Sequence, residues 1–367
     1  MSAIELPSSP RILIVKLWAL GDLLMATPLL TALKARYPGC HLTWLADRTH
    51  ADILGGNPLI DELISLDTGD WRKSIRKGNV WKYLRRTAEI TGDLKGRGFD
   101  LAINLTPEKK WTHLLAQAPR RIGMFPADKL DRSLNRYYTV ALARPQESYR
   151  HSTAFYLHPM TVLGGIGPYD ERMILKVSDE DREAARCFLG GCAAFDPTLP
   201  ICVLHPGTSQ ESKCWPATSF GALGERLTSR YNIVITGSPK EVGLAESIAS
   251  AVEGRGAIVA AGKLRNIRET AAIVERAAVV VTGDTSALHI ASALGVPVVG
   301  IYGGTRPRDN RPQFGPNALL FDDTVPCAPC FKADCPLKGE EHMRCMKAIT
   351  PAAVDEAIST LVKVKIG

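Results

Sequence analysis

Two stretches of the 367-residue sequence run through one rhythm: a short unbroken apolar run, a loop, then a helical pattern. The first opens with Arg11-Ile-Leu-Ile-Val15 and continues with apolar runs at 41–46, 62–66, 100–105 and 120–124. The second places such runs at 201–205, 232–236, 257–260, 279–282 and 296–302. An apolar run without polar alternation suits a strand buried on both faces. Strands that alternate with helices build a parallel sheet covered on both sides. Helices are predicted over 22–37, 217–230, 240–252, 267–276 and 286–294. Single cores stop growing at about 250–300 residues, so two domains are expected, 1–175 and 176–350, with a helix in 351–367 able to pack back on the first. Segment 137–177 is less regular, with a helical pattern around 153–163, and Pro168 followed by Ser178-Asp-Glu-Asp181 marks the boundary. Asp179 and Asp181 imitate the Asp-x-Asp metal motif of some sugar transferases, but acidic residues there are expected to cap a helix N-terminus.

With 45% hydrophobic and 23% charged residues, the chain has an ordinary globular composition. It lacks the roughly 20 mainly apolar residues that a transmembrane helix needs. Its first ten residues hold Glu5, Pro7 and Pro10 rather than a basic start and an apolar core. A cytoplasmic protein without a secretory signal is therefore expected. The charge is uneven. Arg72, Lys73, Arg76, Lys77, Lys82, Arg85, Arg86, Lys95 and Arg97 are set against Glu89 and Asp93, an excess equal to the whole net charge of +7. Such a patch suits an anionic partner. Trp71, Ile75, Trp81, Leu84 and Ala88 pass through it near helical spacing. That describes either an amphipathic segment touching an anionic membrane or an exposed basic helix with its apolar side on the core. No helix-turn-helix or base-stacking pattern accompanies it, so nucleic acid is not an expected partner.

In open parallel sheets, ligands bind beyond the carboxyl ends of strands, where loops lead into helix N-termini. The first such loop carries Gly21-Asp22 and no Gly-x-Gly-x-x-Gly fingerprint. Asp22 is either an N-cap, worth about 1 kcal/mol, or a general base for an acceptor hydroxyl. In the second half, His205-Pro-Gly-Thr-Ser-Gln-Glu-Ser-Lys213-Cys-Trp-Pro216 follows a strand with hydroxyls at Thr208 and Ser209 and a cation at Lys213. The set suits a diphosphate, or else a polar loop whose hydroxyls close local turns. Thr236-Gly-Ser-Pro-Lys-Glu241 adds Gly237 and places Glu241 in the next helix's first turn, as dipole partner or as ligand. The strongest local signal is Val279-Val-Val-Thr-Gly-Asp284-Thr-Ser-Ala-Leu-His289. Its strand ends at Gly283-Asp284, and the helix opens at Thr285-Ser286, where unpaired N–H groups and the dipole favour phosphate. Asp284 can accept a ribose or sugar hydroxyl. His289 lies about one turn in, where a histidine is either structural or close to the bound anion.

Cys40, Cys187, Cys192, Cys202 and Cys214 are scattered and read as small buried hydrophobes. Cys327, Cys330, Cys335 and Cys345 crowd together, with His342 beside them. Four thiolates can hold zinc or iron tetrahedrally. Cys327-Ala-Pro-Cys330 suits such a site, while the later spacings are not those of common zinc fingers. Disulfides and free thiols remain alternatives, disulfides being disfavoured in the cytosol.

In order along the chain, these pieces resemble glycosyltransferase family 9, the lipopolysaccharide heptosyltransferases. The matching residues are Ile12-Leu-Ile-Val-Lys16 with Gly21-Asp22 and Pro28, then His205-Pro-Gly with Lys213 and Trp215-Pro216, then Gly237 and Glu241, Gly262-Lys263, and Gly283-Asp284-Thr-Ser with His289. Each is weak alone; the ordered set, spanning residues 12–302, is specific. The resemblance implies an α/β GT-B fold of two Rossmann-like domains whose parallel sheets face a central cleft. It places the acceptor on the N-terminal domain and ADP-heptose on the C-terminal one, with inverting transfer that requires no metal or other cofactor. Asp22 becomes the catalytic base. Thr208, Ser209 and Lys213 become diphosphate ligands, Gly237 and Glu241 lie at the ribose, and Leu264 beside the adenine. Asp284 holds heptose hydroxyls, with Thr285, Ser286 and His289 near the diphosphate. Lys16, Arg72, Lys73, Arg76 and Lys77 are expected toward the acceptor, an anionic lipopolysaccharide core or lipid A precursor, with peripheral contact on the inner face of the cytoplasmic membrane. Some relatives that glycosylate autotransporter proteins carry cysteine-bound iron and others have similar cysteines without evident metal, which leaves a structural zinc or iron at Cys327, Cys330, Cys335 and Cys345 open. The alternatives are a transferase acting on an autotransporter protein, which the basic patch disfavours, and a GT-B-like nucleotide-sugar epimerase.

Overall fold

The structure is a computed structural model that describes residues 3–69, 79–106, 118–126, 129–143, 151–165 and 167–366. The chain divides into two compact units, Met1–Lys176 and Val177–Gly367.

The first unit is built on six parallel strands: β1 (Arg11–Val15), β2 (His41–Asp47), β3 (Glu62–Leu66), β4 (Leu101–Asn104), β5 (Arg120–Phe125) and β6 (Val140–Ala143). Their order is β3-β2-β1-β4-β5-β6. Val15 therefore lies between Leu45 of β2 and Asn104 of β4. The chain runs outward from β1 to β3 and returns to β4, so the loops after β1 and β4 diverge at a topological switch point. Ile12, Ile14, Val15, Trp44 and Ile103 have no exposed surface, as expected of strands covered on both faces. The predicted 22–37 helix is two helices, α1 (Leu20–Ala26) and α2 (Pro28–Arg36). Pro28 has no N–H to continue the first ladder, and the Thr27 amide and hydroxyl both donate to the Leu24 carbonyl instead. The hydroxyl of Thr27 in turn accepts the Ile174 amide at 2.8 Å. Two further helices complete the unit's regular elements used below, α3 (Val80–Lys95) and α4 (Ser152–Leu157); the latter gives way to a 3-10 turn at Pro159.

In the second unit the strands are β7 (Ile201–His205), β8 (Asn232–Ile235), β9 (Ala257–Val259), β10 (Ala277–Gly283), β11 (Val298–Tyr302) and β12 (Asn317–Phe321). The sheet is again parallel, in the order β12-β11-β10-β7-β8-β9, with its switch point between β7 and β10. Its helices are α5 (Asp179–Gly190), α6 (Ala217–Leu227), α7 (Val242–Ala249), α8 (Ile267–Glu275), α9 (Ser286–Ala293), α10 (Pro307–Asn310), α11 (Arg344–Lys347) and α12 (Pro351–Ile366). Ser178 and Asp181 form a reciprocal capping box at the start of α5, so the acidic pair there is a helix start. The final helix α12, expected to cross back onto the first unit, buries Val354, Ile358 and Leu361 in the core of the second.

The two edge strands β6 and β12 had no counterpart in the sequence reading. Both are short and only partly buried, so their apolar signal is weak. Trp215 closes the loop after β7 onto the approach to α12: it is 3% exposed, packs edge-on against Phe220 and donates its indole N–H to the Ile349 carbonyl at 2.9 Å. Trp215→Phe keeps the ring but orphans that buried carbonyl, and is expected to lower stability in urea titration by about 1–3 kcal/mol.

Candidate active site

At the switch point of the first sheet, the loop after β1 turns through Ala19, whose φ of 68° is unusual for a residue with a side chain. Ala19 occupies the N-cap position of α1, which places Asp22 inside the first turn rather than at the cap. Asp22 receives Lys16 Nζ at 2.8 Å on its Oδ2. The lysine side chain is 8% exposed and the aspartate 37%, so the pair is sealed on one side and open on the other. The ring of Tyr156, from α4, lies 5.7 Å from Lys16 Nζ and covers the cation. Lys16, expected toward the acceptor, is thus committed to Asp22.

The second sheet places a comparable pair at its own switch point. Lys213 leaves the loop after β7 and Asp284 ends β10, and their charges meet at 2.8 Å with side-chain exposures of 16% and 4%. Thr305, from the loop after β11, donates to the same Asp284 oxygen at 2.8 Å. Thr285 caps α9, its hydroxyl accepting the Ala287 amide and meeting Thr282 at 2.9 Å. Ser286 is half-buried at the start of that helix, and His289 is buried one turn along. The hydroxyl of Thr208 closes a local turn with Gln210 and lies 3.2 Å from Cys214 Sγ, while Ser209 is exposed.

Beside this pair, Glu241 receives the Ser238 amide at 2.6 Å in a capping box and rests against two glycines. A β-carbon at Gly207 would lie 2.0 Å from Glu241 Oε1, and one at Gly237 would lie 3.1 Å from Oε2. Only glycine at 207 admits the carboxylate. His205, bonded to Thr236 at 3.0 Å, is held below the usual imidazole range by burial, against the opposing pull of Glu241. Leu264 is half-buried next to Gly262, whose amide bonds the Gly237 carbonyl at 3.2 Å.

A deep carboxylate, a half-buried lysine and a capped helix start converge at the carboxyl ends of the strands, an arrangement suited to binding a polyol beside an anion. Residues 88–340 match the sequence pattern of Glycosyltransferase family 9 (heptosyltransferase). The chain belongs to glycosyltransferase family 9. It is a glycosyltransferase, and its fold is of the GT-B class. The chain is 26% identical over 348 residues to lipopolysaccharide heptosyltransferase 1 of Pseudomonas aeruginosa, covering 91% of this chain and 90% of that protein. Among solved structures it is similar to the E. coli ADP-heptose lps heptosyltransferase II, with TM-score 0.76 and 21% identity over 97% of this chain and 100% of that one. It is also similar to the E. coli heptosyltransferase WaaC with ADP-2-deoxy-2-fluoro heptose, with TM-score 0.66 and 20% identity over 95% and 99% of the two chains.

In this family 9 chain the cysteine-bearing segment packs behind the loop after β7. Ser212 donates its amide to the Ala333 carbonyl at 3.0 Å and its hydroxyl to the Lys332 carbonyl. Glu211 accepts the Cys335 amide at 3.0 Å and pairs with His342 at 3.3 Å. Gly304 and Phe331 continue the seam through backbone bonds. All four cysteines are free thiols. Burial pushes the Cys345 thiol up, and Cys327, Cys335 and Cys330 stand near enough to add to it. Among the described residues, however, no three or more His, Cys, Asp or Glu side chains are grouped to hold a metal. Cys335 Sγ accepts the Met343 amide at 3.3 Å, and Cys345 Sγ lies against Gly303. As arranged, the thiols do not fit the tetrahedral zinc or iron site suggested by their spacing.

Arg72, Lys73, Arg76 and Lys77 lie outside the described residues. On α3, Trp81 is 83% and Leu84 50% exposed, so these two side chains are not on the core, whereas Leu94 is buried. Arg85 and Arg86 both pair with Glu89 there. Thr305 was not singled out in the sequence, and Gly207 only as part of His205-Pro-Gly; the available signal was their place at strand ends. Gly207→Ala is expected to dislodge Glu241 and weaken ADP binding about tenfold, measured by calorimetry.

Proposed function

We propose that the protein transfers a heptose from ADP-heptose to an anionic lipopolysaccharide inner-core acceptor, with inversion at the anomeric carbon and without a catalytic metal. The observation that carries this reading is the Lys213–Asp284 pair with Thr305 at the β7/β10 switch point. It has support from the P. aeruginosa relative's name and from the ADP-sugar analogue in the structural neighbour's name. Glu241 takes the ribose hydroxyls, with Leu264 near the base. Lys213 takes the diphosphate together with the α9 start at Thr285-Ser286. Asp284, buried and fixed by Thr305, receives heptose hydroxyls.

The acceptor hydroxyl attacks the anomeric carbon from the face opposite the leaving ADP. A new carbon–oxygen bond forms as the bond to the diphosphate oxygen breaks. Lys16 holds Asp22 Oδ2, and Oδ1 is the oxygen we assign to the hydroxyl proton. The charge that develops on the departing diphosphate is met by Lys213 and by the N–H groups opening α9, which are already in place before reaction.

Asp22→Ala is expected to bind ADP normally while losing transfer by roughly 10²–10⁴-fold. Measured as acceptor-dependent ADP release, near-normal turnover removes Asp22 from the mechanism. Measuring acceptor-dependent release of the matching nucleoside diphosphate from UDP- and GDP-sugars tests the donor, and equal rates overturn the ADP assignment.

The exposed start of α3 supports peripheral contact with an anionic membrane, Trp81 and Leu84 entering the interface beside Arg85 and Arg86. Co-sedimentation with phosphatidylglycerol vesicles is expected to fall severalfold in a Trp81→Ala, Leu84→Ala double variant. Binding that ignores both the variant and the anionic lipid content rejects this contact.

A further inference from the structure

The loops after β2 and β3 carry a polar network that the transfer scheme does not use. Asp47, at the end of β2, is 4% exposed and accepts four hydrogen bonds: the Thr49 amide and hydroxyl on Oδ1, and the Thr68 amide and hydroxyl on Oδ2. Burial works against the charged carboxylate, but the bonds from Thr49 and Thr68 outweigh it and hold Asp47 below the usual carboxylate range. Trp18, just before α1, donates its indole N–H to Thr68 Oγ1 at 3.1 Å. The Asp47 amide bonds the Leu17 carbonyl at 2.9 Å. The network therefore locks the loops after β2 and β3 to the loop that presents Asp22.

At the rim of this network stands His50. Its Nδ1 lies 2.9 Å from Thr49 Oγ1 and 3.7 Å from Asp47 Oδ1. The tautomer follows from counting protons. Asp47 is ionised and can only accept, so the single hydroxyl proton of Thr49 goes to Asp47. The Thr49 oxygen is then the acceptor for His50, and Nδ1 carries the ring proton. In neutral His50 the lone pair consequently sits on Nε2. Two charged groups act on the ring: Asp47 from the end of β2 and Lys16 from the end of β1. Lys16 is the same lysine that holds Asp22, so imidazole and carboxylate share one charged neighbour at one sheet edge. The His50 side chain is 29% exposed, enough to reach a ligand at that edge.

We propose that His50 is an acceptor-binding residue, its Nε2 accepting a hydrogen bond from a hydroxyl of the acceptor sugar while Thr49 and Asp47 fix the ring. This rests on the reading of Asp22 as the base at the acceptor side. Burial lowers the proton affinity of His50, with Lys16 adding to it and Asp47 opposing it. The ring therefore stays neutral and accepting at neutral pH. Acceptor binding weakens only as pH falls through a value below the ordinary 6.5, where Nε2 gains a proton and can no longer accept.

The test uses full-length wild-type, His50→Ala, His50→Gln and Asp22→Asn proteins with a heptose-free, de-acylated lipopolysaccharide core as probe, at saturating ADP-heptose. His50→Ala is expected to raise KM for the core about tenfold with kcat and ADP affinity little changed, the pattern of lost ground-state binding. His50→Gln, whose amide oxygen can accept, is expected to recover part of this and to flatten the acidic rise in KM. Calorimetric titration of the core into Asp22→Asn, with and without His50→Ala, reads binding where transfer is blocked. An unchanged KM and an unchanged acid limb in His50→Ala overturn the proposal. Wild-type transfer that survives Asp22→Asn overturns the earlier reading instead. Core binding that depends on His50 without any transfer upholds the contact and rejects the reaction. Neither binding nor transfer in the wild type overturns both.

Discussion

Each unit of this chain places a lysine–aspartate pair where its strand order reverses, and the proposed chemistry depends on those two pairs. Lys16 meets Asp22 at the β1/β4 switch point, and Lys213 meets Asp284 at the β7/β10 switch point. Neighbouring loops diverge there, leaving room for a ligand over the strand ends. A lysine with so little exposed surface has given up much of its hydration and needs a fixed anion in return. The aspartate supplies that anion, and the pair stays ordered before substrate arrives. Preorganisation of this kind lets a buried cation act on developing charge without first reorganising water.

Around the pairs, close backbone approach does as much as charge. The Glu241 carboxylate rests on Gly207 and Gly237, and a side chain at 207 would occupy its position. The loop bearing Lys213 is held from behind by Ser212 and Glu211, which bond to the segment between Phe331 and Cys335. Thr305 approaches from another strand end and donates to the same Asp284 oxygen that Lys213 meets. Several independent bonds thus determine where one lysine and one carboxylate stand, and loops otherwise prone to move become precise. The cysteines take part through the backbone of their segment, with Cys335 donating its amide to Glu211.

Much of this was legible beforehand. The uninterrupted runs at Ile12–Val15 and Val279–Val281 required strands covered on both faces, and their alternation with helical patterns required parallel sheets. Reading the loops after strands found Asp22, Lys213, Glu241 and Asp284. The reading fell silent where local signal was weak or partners were distant. β6 and β12 lie at sheet edges and are half-exposed, so their apolar character is diluted. Of the two local readings open for Asp22, the N-cap is set aside, since the residue in that position is Ala19. The pairing of Lys16 with Asp22 went unread, because no periodicity announces an ion pair closed by a turn through a left-handed alanine. The cysteine spacing left metal, disulfide and free thiol open because it says nothing of where each sulfur points, and the structure shows free thiols.

The sequence by itself determined the two parallel sheets, their division near residue 176 and the strand ends that carry the candidate site residues. Periodicity and burial operate within a few residues, so they survive in one dimension. Only the tertiary structure decided the pairing of Lys16 with Asp22 and of Lys213 with Asp284, the seat of Glu241 between two glycines, and the tautomer of His50. These contacts join residues brought together by strand order, and their energies depend on ångström distances and lost hydration, neither of which is written in the spacing of residues along the chain.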